Sequence, residues 1–96
     1  MRILALEIEN RDATADYLQP LLEAEARKVW KLHQEDFIRE IYFRADMASA
    51  VLMLECENLV EAQRKLSALP LVAAGLVEFE MIPLTPYPGF ARLWSV

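Results

Sequence analysis

The chain has 96 residues, 55% of them hydrophobic, with 15 acidic against 10 basic side chains and a formal net charge of −5. That length holds one domain and not two, and that charge, with the basic groups scattered, disfavours nucleic acid and anionic lipid as partners. The longest apolar run, Ala68 to Val77, contains Pro70 and Gly75 and is far shorter than the roughly 20 residues of a bilayer span, so no membrane segment is expected.

Residues Arg2 to Glu9 alternate so that Leu4, Leu6 and Ile8 share one face and Ile3, Ala5, Glu7 and Glu9 the other, which predicts a first strand. Nothing at this end has the basic, apolar and cleavage regions of a secretory leader, and Cys56 has no second cysteine to pair with; the cytoplasm is the expected compartment. Asn10, Arg11, Asp12 and Thr14 supply turn and capping groups. A helix is expected from about Asp16, with Leu18, Leu21, Leu22, Val29 and Leu32 at helical spacing and Pro20 tolerated only at its margin.

From Asp36 to Arg44 the period changes to two, with Phe37, Ile41 and Phe43 on one parity and Ile38, Glu40, Tyr42 and Arg44 on the other. A hairpin leads to a third strand, Ser49 to Glu55, apolar enough to be central and covered on both faces. Asn58 followed by Glu61 reads as a helix start, Leu59, Ala62, Leu66 and Leu69 continue the helical spacing, and Pro70 is expected to end it. The last strand, Leu76 to Leu84, alternates Val77, Phe79 and Met81 against Glu78, Glu80 and Ile82. The order βαββαβ predicts an α+β, ferredoxin-like domain over residues 1–96: a four-stranded antiparallel sheet with two helices on one face.

Two helices cover one face of such a sheet. The other is expected to carry Ile3, Ala5, Tyr42, Met53 and Ile82 and to be too apolar for water, so the sheets of two chains should pair as a dimeric α/β barrel. Residues 85–96 read as an extended tail, favoured by Pro83 just before it and by Pro86 and Pro88 within it, whose Tyr87, Phe90, Leu93 and Trp94 would pack on a partner subunit.

The stretch ECENLVEAQRKLSALPLVAAGLVEFEMIPLTPYP resembles the second half of the muconolactone isomerase-like proteins, in the helix leading to LSALPL, the strand VEFEMIPL and the proline-containing exit. The resemblance covers about half of the chain. It implies a ferredoxin-like subunit that associates through its sheet, and an activity of the kind in which a double bond of a small unsaturated lactone is moved without a cofactor.

Candidate chemistry follows from the carboxylates. Glu7, Glu40, Glu55, Glu78 and Glu80 are expected on the face away from the helices, either as solvated or salt-bridged rim groups or as partly desolvated acids able to shuttle a proton. Glu80, among Phe79, Met81 and Ile82 in sequence, is the preferred proton carrier, and Glu7 on a neighbouring strand would face the same cavity. Arg44 and Tyr42 share a face of the second strand and could hold the carboxylate and ring of a substrate, although an ion pair across a subunit interface would use Arg44 equally well. His33 at a helix end reads as a dipole-favoured surface group or a general base. One histidine, one cysteine and scattered acids lack metal-ligand spacing, and neither a metal nor a cofactor is expected. Two readings stand side by side: a cofactor-free enzyme, isomerase- or lyase-like, acting on a small organic acid or lactone, and a non-catalytic dimeric module that binds a metabolite or serves assembly.

Overall fold

The structure is a computed structural model that describes residues 1–94. In chain order it comprises β1 (Arg2–Glu9), α1 (Ala15–Leu18), a 3₁₀ turn (Gln19–Leu21), α2 (Leu22–Gln34), β2 (Ile38–Phe43), β3 (Ala50–Glu55), α3 (Leu59–Ser67), α4 (Pro70–Ala73), β4 (Val77–Leu84) and a second 3₁₀ turn (Gly89–Leu93). The fold is α+β, with four antiparallel strands in the order β2-β3-β1-β4, so the apolar β3 is central as its composition requires.

Proline sets two boundaries that spacing alone does not. The first helix is not continuous: Pro20 lies in the 3₁₀ turn between α1 and α2, where its missing N–H and fixed φ do least harm. Pro70 ends no helix. It opens α4 at the first helical position after an extended Leu69, and α3 has already stopped at Ser67. Asn58 caps α3, its side chain accepting from the Glu61 N–H at 2.8 Å, while the Glu61 carboxylate reaches back to the Glu57 N–H at 3.0 Å. Gly75, at φ 74°, closes α4 through hydrogen bonds Gly75 N–H to Val72 O and Leu76 N–H to Leu71 O, and launches β4.

The core lies between the sheet and one layer of helices. Ile3 and Ala5 from β1, Leu52 and Leu54 from β3 and Ile38 from β2 pack against Leu32, Ala62, Leu66 and Leu69. This reverses the expected sidedness of β1: Ile3 and Ala5 have no exposed surface, and Leu4, Leu6 and Ile8 take the face without helices. On β2 one extra residue, Arg39, shifts the register between Ile38 and Glu40. Ile38, Ile41 and Phe43 thereby share the helix-covered side, and Glu40 and Tyr42 share the other.

Beyond β4 the chain leaves the body. The molecule measures 61 × 28 × 20 Å, and its radius of gyration of 15.8 Å exceeds the value of about 12.5 Å for a compact chain of this size. The tail is not extended throughout, because Gly89–Leu93 turns as 3₁₀ and the Tyr87 and Phe90 rings meet edge to face at 5.0 Å. Tyr87, Phe90, Leu93 and Trp94 are each about two-thirds or more exposed. Ser95 and Val96, the end of the expected tail, lie outside the described residues.

Candidate functional site

A cavity of about 400 Å³ opens between the sheet and α2, on the helix-covered side. Its walls are apolar: Leu18, Leu22 and Val29 from the helical layer, Ile41 and Leu52 from the sheet, Leu69 and Leu71 from the α3–α4 corner, with Phe79 from β4. Exposed Phe43, Ala48 and Glu9 mark its mouth at the end of the sheet where β1 finishes and β3 begins.

Two half-buried carboxyls enter this space. Glu7 follows Ala5 on the inward face of β1, and its Oε1 accepts a hydrogen bond from the Ala50 N–H at 3.2 Å. Beside it the Ser49 hydroxyl donates to the Glu7 carbonyl at 2.5 Å, so side chains complete the β1–β3 junction where backbone pairing ends. Glu25 belongs to the first turn of α2, and its Oε1 accepts from the Leu71 N–H at 3.0 Å. That donor is one of the free N–H groups at the start of α4, next to a proline that has none to offer. Among the described residues no hydrogen bond reaches the Oε2 of either acid.

Burial pushes both carboxyls above the usual glutamate range. For Glu7 desolvation outweighs the bond from Ala50, which pulls the other way, and the charge of Glu9 adds to the rise. For Glu25 desolvation again leads, opposed by the Leu71 bond and reinforced by the charge of Glu7. Glu25 thus feels the charge of Glu7 within an apolar enclosure, so its proton is harder to lose once Glu7 is ionised. No arginine, lysine or histidine lines the cavity among the described residues.

The expected grouping of Glu7, Glu80, Arg44 and Tyr42 is not what the fold brings together. Glu80 pairs with Leu6 across the β1–β4 ladder and points to the face without helices, whereas Glu7 points into the cavity on the opposite side. Tyr42 and Glu40 also lie on the bare face, the Tyr42 hydroxyl donating to Glu40 at 2.9 Å. Arg44 is engaged with Asp46 by two hydrogen bonds, 2.9 and 2.7 Å. Glu55 pairs with the N-terminal amine at 3.1 Å and lies 3.9 Å from Arg2. Of the expected residues, Glu7 alone reaches an enclosed space, and Glu25, not singled out from spacing, joins it. The signal for Glu25 is nonetheless present, since Leu18, Leu22, Glu25, Val29 and Leu32 form one helical stripe in which the acid interrupts apolar residues.

His33 is a structural group: its Nδ1 lies 2.7 Å from the Ile38 carbonyl, which requires the proton on that nitrogen, and its ring leans on Trp30. Cys56 follows β3 with Sγ 3.4 Å from the Asn58 carbonyl; burial and the charge of Glu61 push its thiol up, away from nucleophilic use. Among the described residues no three His, Cys, Asp or Glu side chains are grouped to hold a metal ion. No helix among them is long and apolar enough to cross a membrane. The chain matches no protein-family model and no curated protein.

Proposed function

We propose that the protein is a cofactor-free, isomerase- or lyase-like enzyme that moves a proton on a small carbonyl compound, with Glu7 as the proton carrier and Glu25 as its partner. The observation that carries this reading is the meeting of two half-buried carboxyls, each with one oxygen fixed by a backbone N–H, in one apolar cavity. Fixing one oxygen orients the carboxyl and leaves the other for substrate. Desolvation brings its pKa towards neutrality, where a general base is most effective.

The chemistry then balances within the two acids. Ionised Glu7 removes a proton from the carbon next to the carbonyl, and protonated Glu25 donates a hydrogen bond to the carbonyl oxygen as negative charge develops there. Glu7 returns its proton to the far carbon of the resulting dienolate, whose oxygen Glu25 holds by that hydrogen bond throughout, so the double bond shifts and no electrons leave the substrate. The resemblance of the second half of the chain to muconolactone isomerase-like proteins agrees with this reaction class, and the strand order β2-β3-β1-β4 supports a ferredoxin-like subunit.

The assembly belongs to the same proposal. Leu4, Leu6 and Ile8 join Val51, Met53 and Ile82 on a sheet face that no helix covers, and pairing two such faces gives a dimeric α/β barrel with the tail aromatics available to clasp the partner. Glu80, Tyr42 and Glu40 then belong to the space between sheets and not to the catalytic cavity. A cytoplasmic setting suits the single cysteine.

The test is solvent deuterium uptake into an unsaturated lactone, followed by proton NMR. Wild-type protein is expected to accelerate exchange at the ring carbon next to the carbonyl, with Glu7→Gln lowering the rate by about 100-fold or more and Glu80→Gln leaving it within about twofold. Equal rates in wild type and Glu7→Gln would remove the enzyme reading, and binding without exchange would assign the chain to the metabolite-binding modules instead.

A further inference from the structure

The charge balance of the cavity identifies the class of molecule it takes. Resting on the proton-transfer reading, we infer that the substrate is an uncharged, largely apolar carbonyl compound, and that the cavity excludes compounds bearing a carboxylate. Three acids line the space, Glu7 and Glu25 within and Glu9 at the mouth, and no basic side chain among the described residues faces them. An anionic group entering would lose its hydration, find no counter-charge, and meet at least one ionised glutamate.

The cation expected to receive an anionic substrate is committed elsewhere. Arg44 is held by both carboxylate oxygens of Asp46 and does not line the cavity. The remaining wall of Leu18, Leu22, Val29, Ile41, Leu52 and Phe79 matches a hydrocarbon ring, which needs hydrogen bonding only at its carbonyl. One free carboxyl oxygen on each of Glu7 and Glu25 suffices for that: a base over the acidic carbon and a donor at the carbonyl oxygen. The organic acids of the enzyme reading are thereby set aside, and lactones and cyclic ketones remain.

A matched pair of probes tests this: a γ-methyl butenolide and the same ring carrying a carboxymethyl group, with affinities measured near neutral pH by saturation-transfer NMR and calorimetry. The uncharged ring is expected to bind wild-type protein at least about tenfold more tightly, and the gap to shrink to about threefold or less in Glu7→Gln/Glu25→Gln. Should that double variant fail to fold, a pH series on the wild-type protein replaces it, with a sulfomethyl ring whose charge persists throughout as the anionic probe: the preference for the uncharged ring narrows as pH falls through the range in which the glutamates take up protons, and an unchanged preference overturns the inference. Anionic binding as tight as neutral binding in wild type, or no binding of the uncharged ring at millimolar concentration, would overturn the inference. Deuterium uptake by the bound ring is read separately: binding preference without exchange keeps the charge rule and discards the catalytic reading.

Discussion

Glu7 is a single side chain whose ionisation works against the fold near neutrality. Its carboxyl is held above the ordinary value of 4.5, so the folded state binds more protons than the unfolded chain between the two pKa values. Its contribution to stability is fully present below pH 4.5 and is lost as pH rises through the folded value, and Glu25 behaves alike. Glu7→Gln keeps an oxygen for the Ala50 N–H and removes the ionisation. Thermal unfolding should therefore find the variant about 2–4 °C more stable than wild type near neutrality, with the advantage vanishing near pH 4; an unchanged difference across that range would place Glu7 in water. Gly75→Ala isolates a different effect: a Cβ there meets nothing within 4 Å, so the cost is the positive φ alone, about 1 kcal/mol in urea unfolding.

The elements explain what could be read from the sequence and what could not. β4 begins one residue after the expected Leu76, because Gly75 and the polar alternation of Glu78 and Glu80 mark both its start and its outward face. The orientation of β1 was not legible. Ile3 and Ala5 compete with Leu4, Leu6 and Ile8 as two apolar sets, and the glutamates at positions 7 and 9 suggest the wrong one for solvent. That parity places Glu7 on the bare face, whereas the strand turns it into the cavity. β2 failed locally for another reason, the bulge at Arg39, which no composition cue announces. Deleting Arg39 should remove the bulge while Ile38 stays opposite Leu54 and Glu40 opposite Met53, so the deletion and Arg39→Ala should each stay within about 1 kcal/mol of wild type; denaturant titration of both variants checks this, and a loss of about 3 kcal/mol on deletion alone would show that the register depends on the extra residue.

For the whole molecule, the bare sheet face and the projecting aromatic arm make the same demand. Ile8 is 43% exposed, Tyr42 60% and Trp94 75%, a display that a small monomer does not normally leave in water. Light scattering should return twice the 11.0 kDa chain mass or a multiple of that. Leu6→Glu, on the bare face, should release monomers whose circular dichroism is unchanged. A monodisperse wild-type monomer at micromolar concentration would contradict the sheet-paired assembly while leaving the cavity, which lies on the other side of the sheet, unaffected.

The proposed chemistry needs Glu7 to be a desolvated acid inside the cavity and not a solvated rim group, and carbon-detected NMR titration of its carboxyl decides between the two. A midpoint above 4.5 is expected for Glu7, with a downward movement of the Glu25 midpoint in Glu7→Gln as the neighbouring charge is removed. A Glu7 midpoint at or below 4.5, with Glu25 indifferent to the substitution, would contradict it.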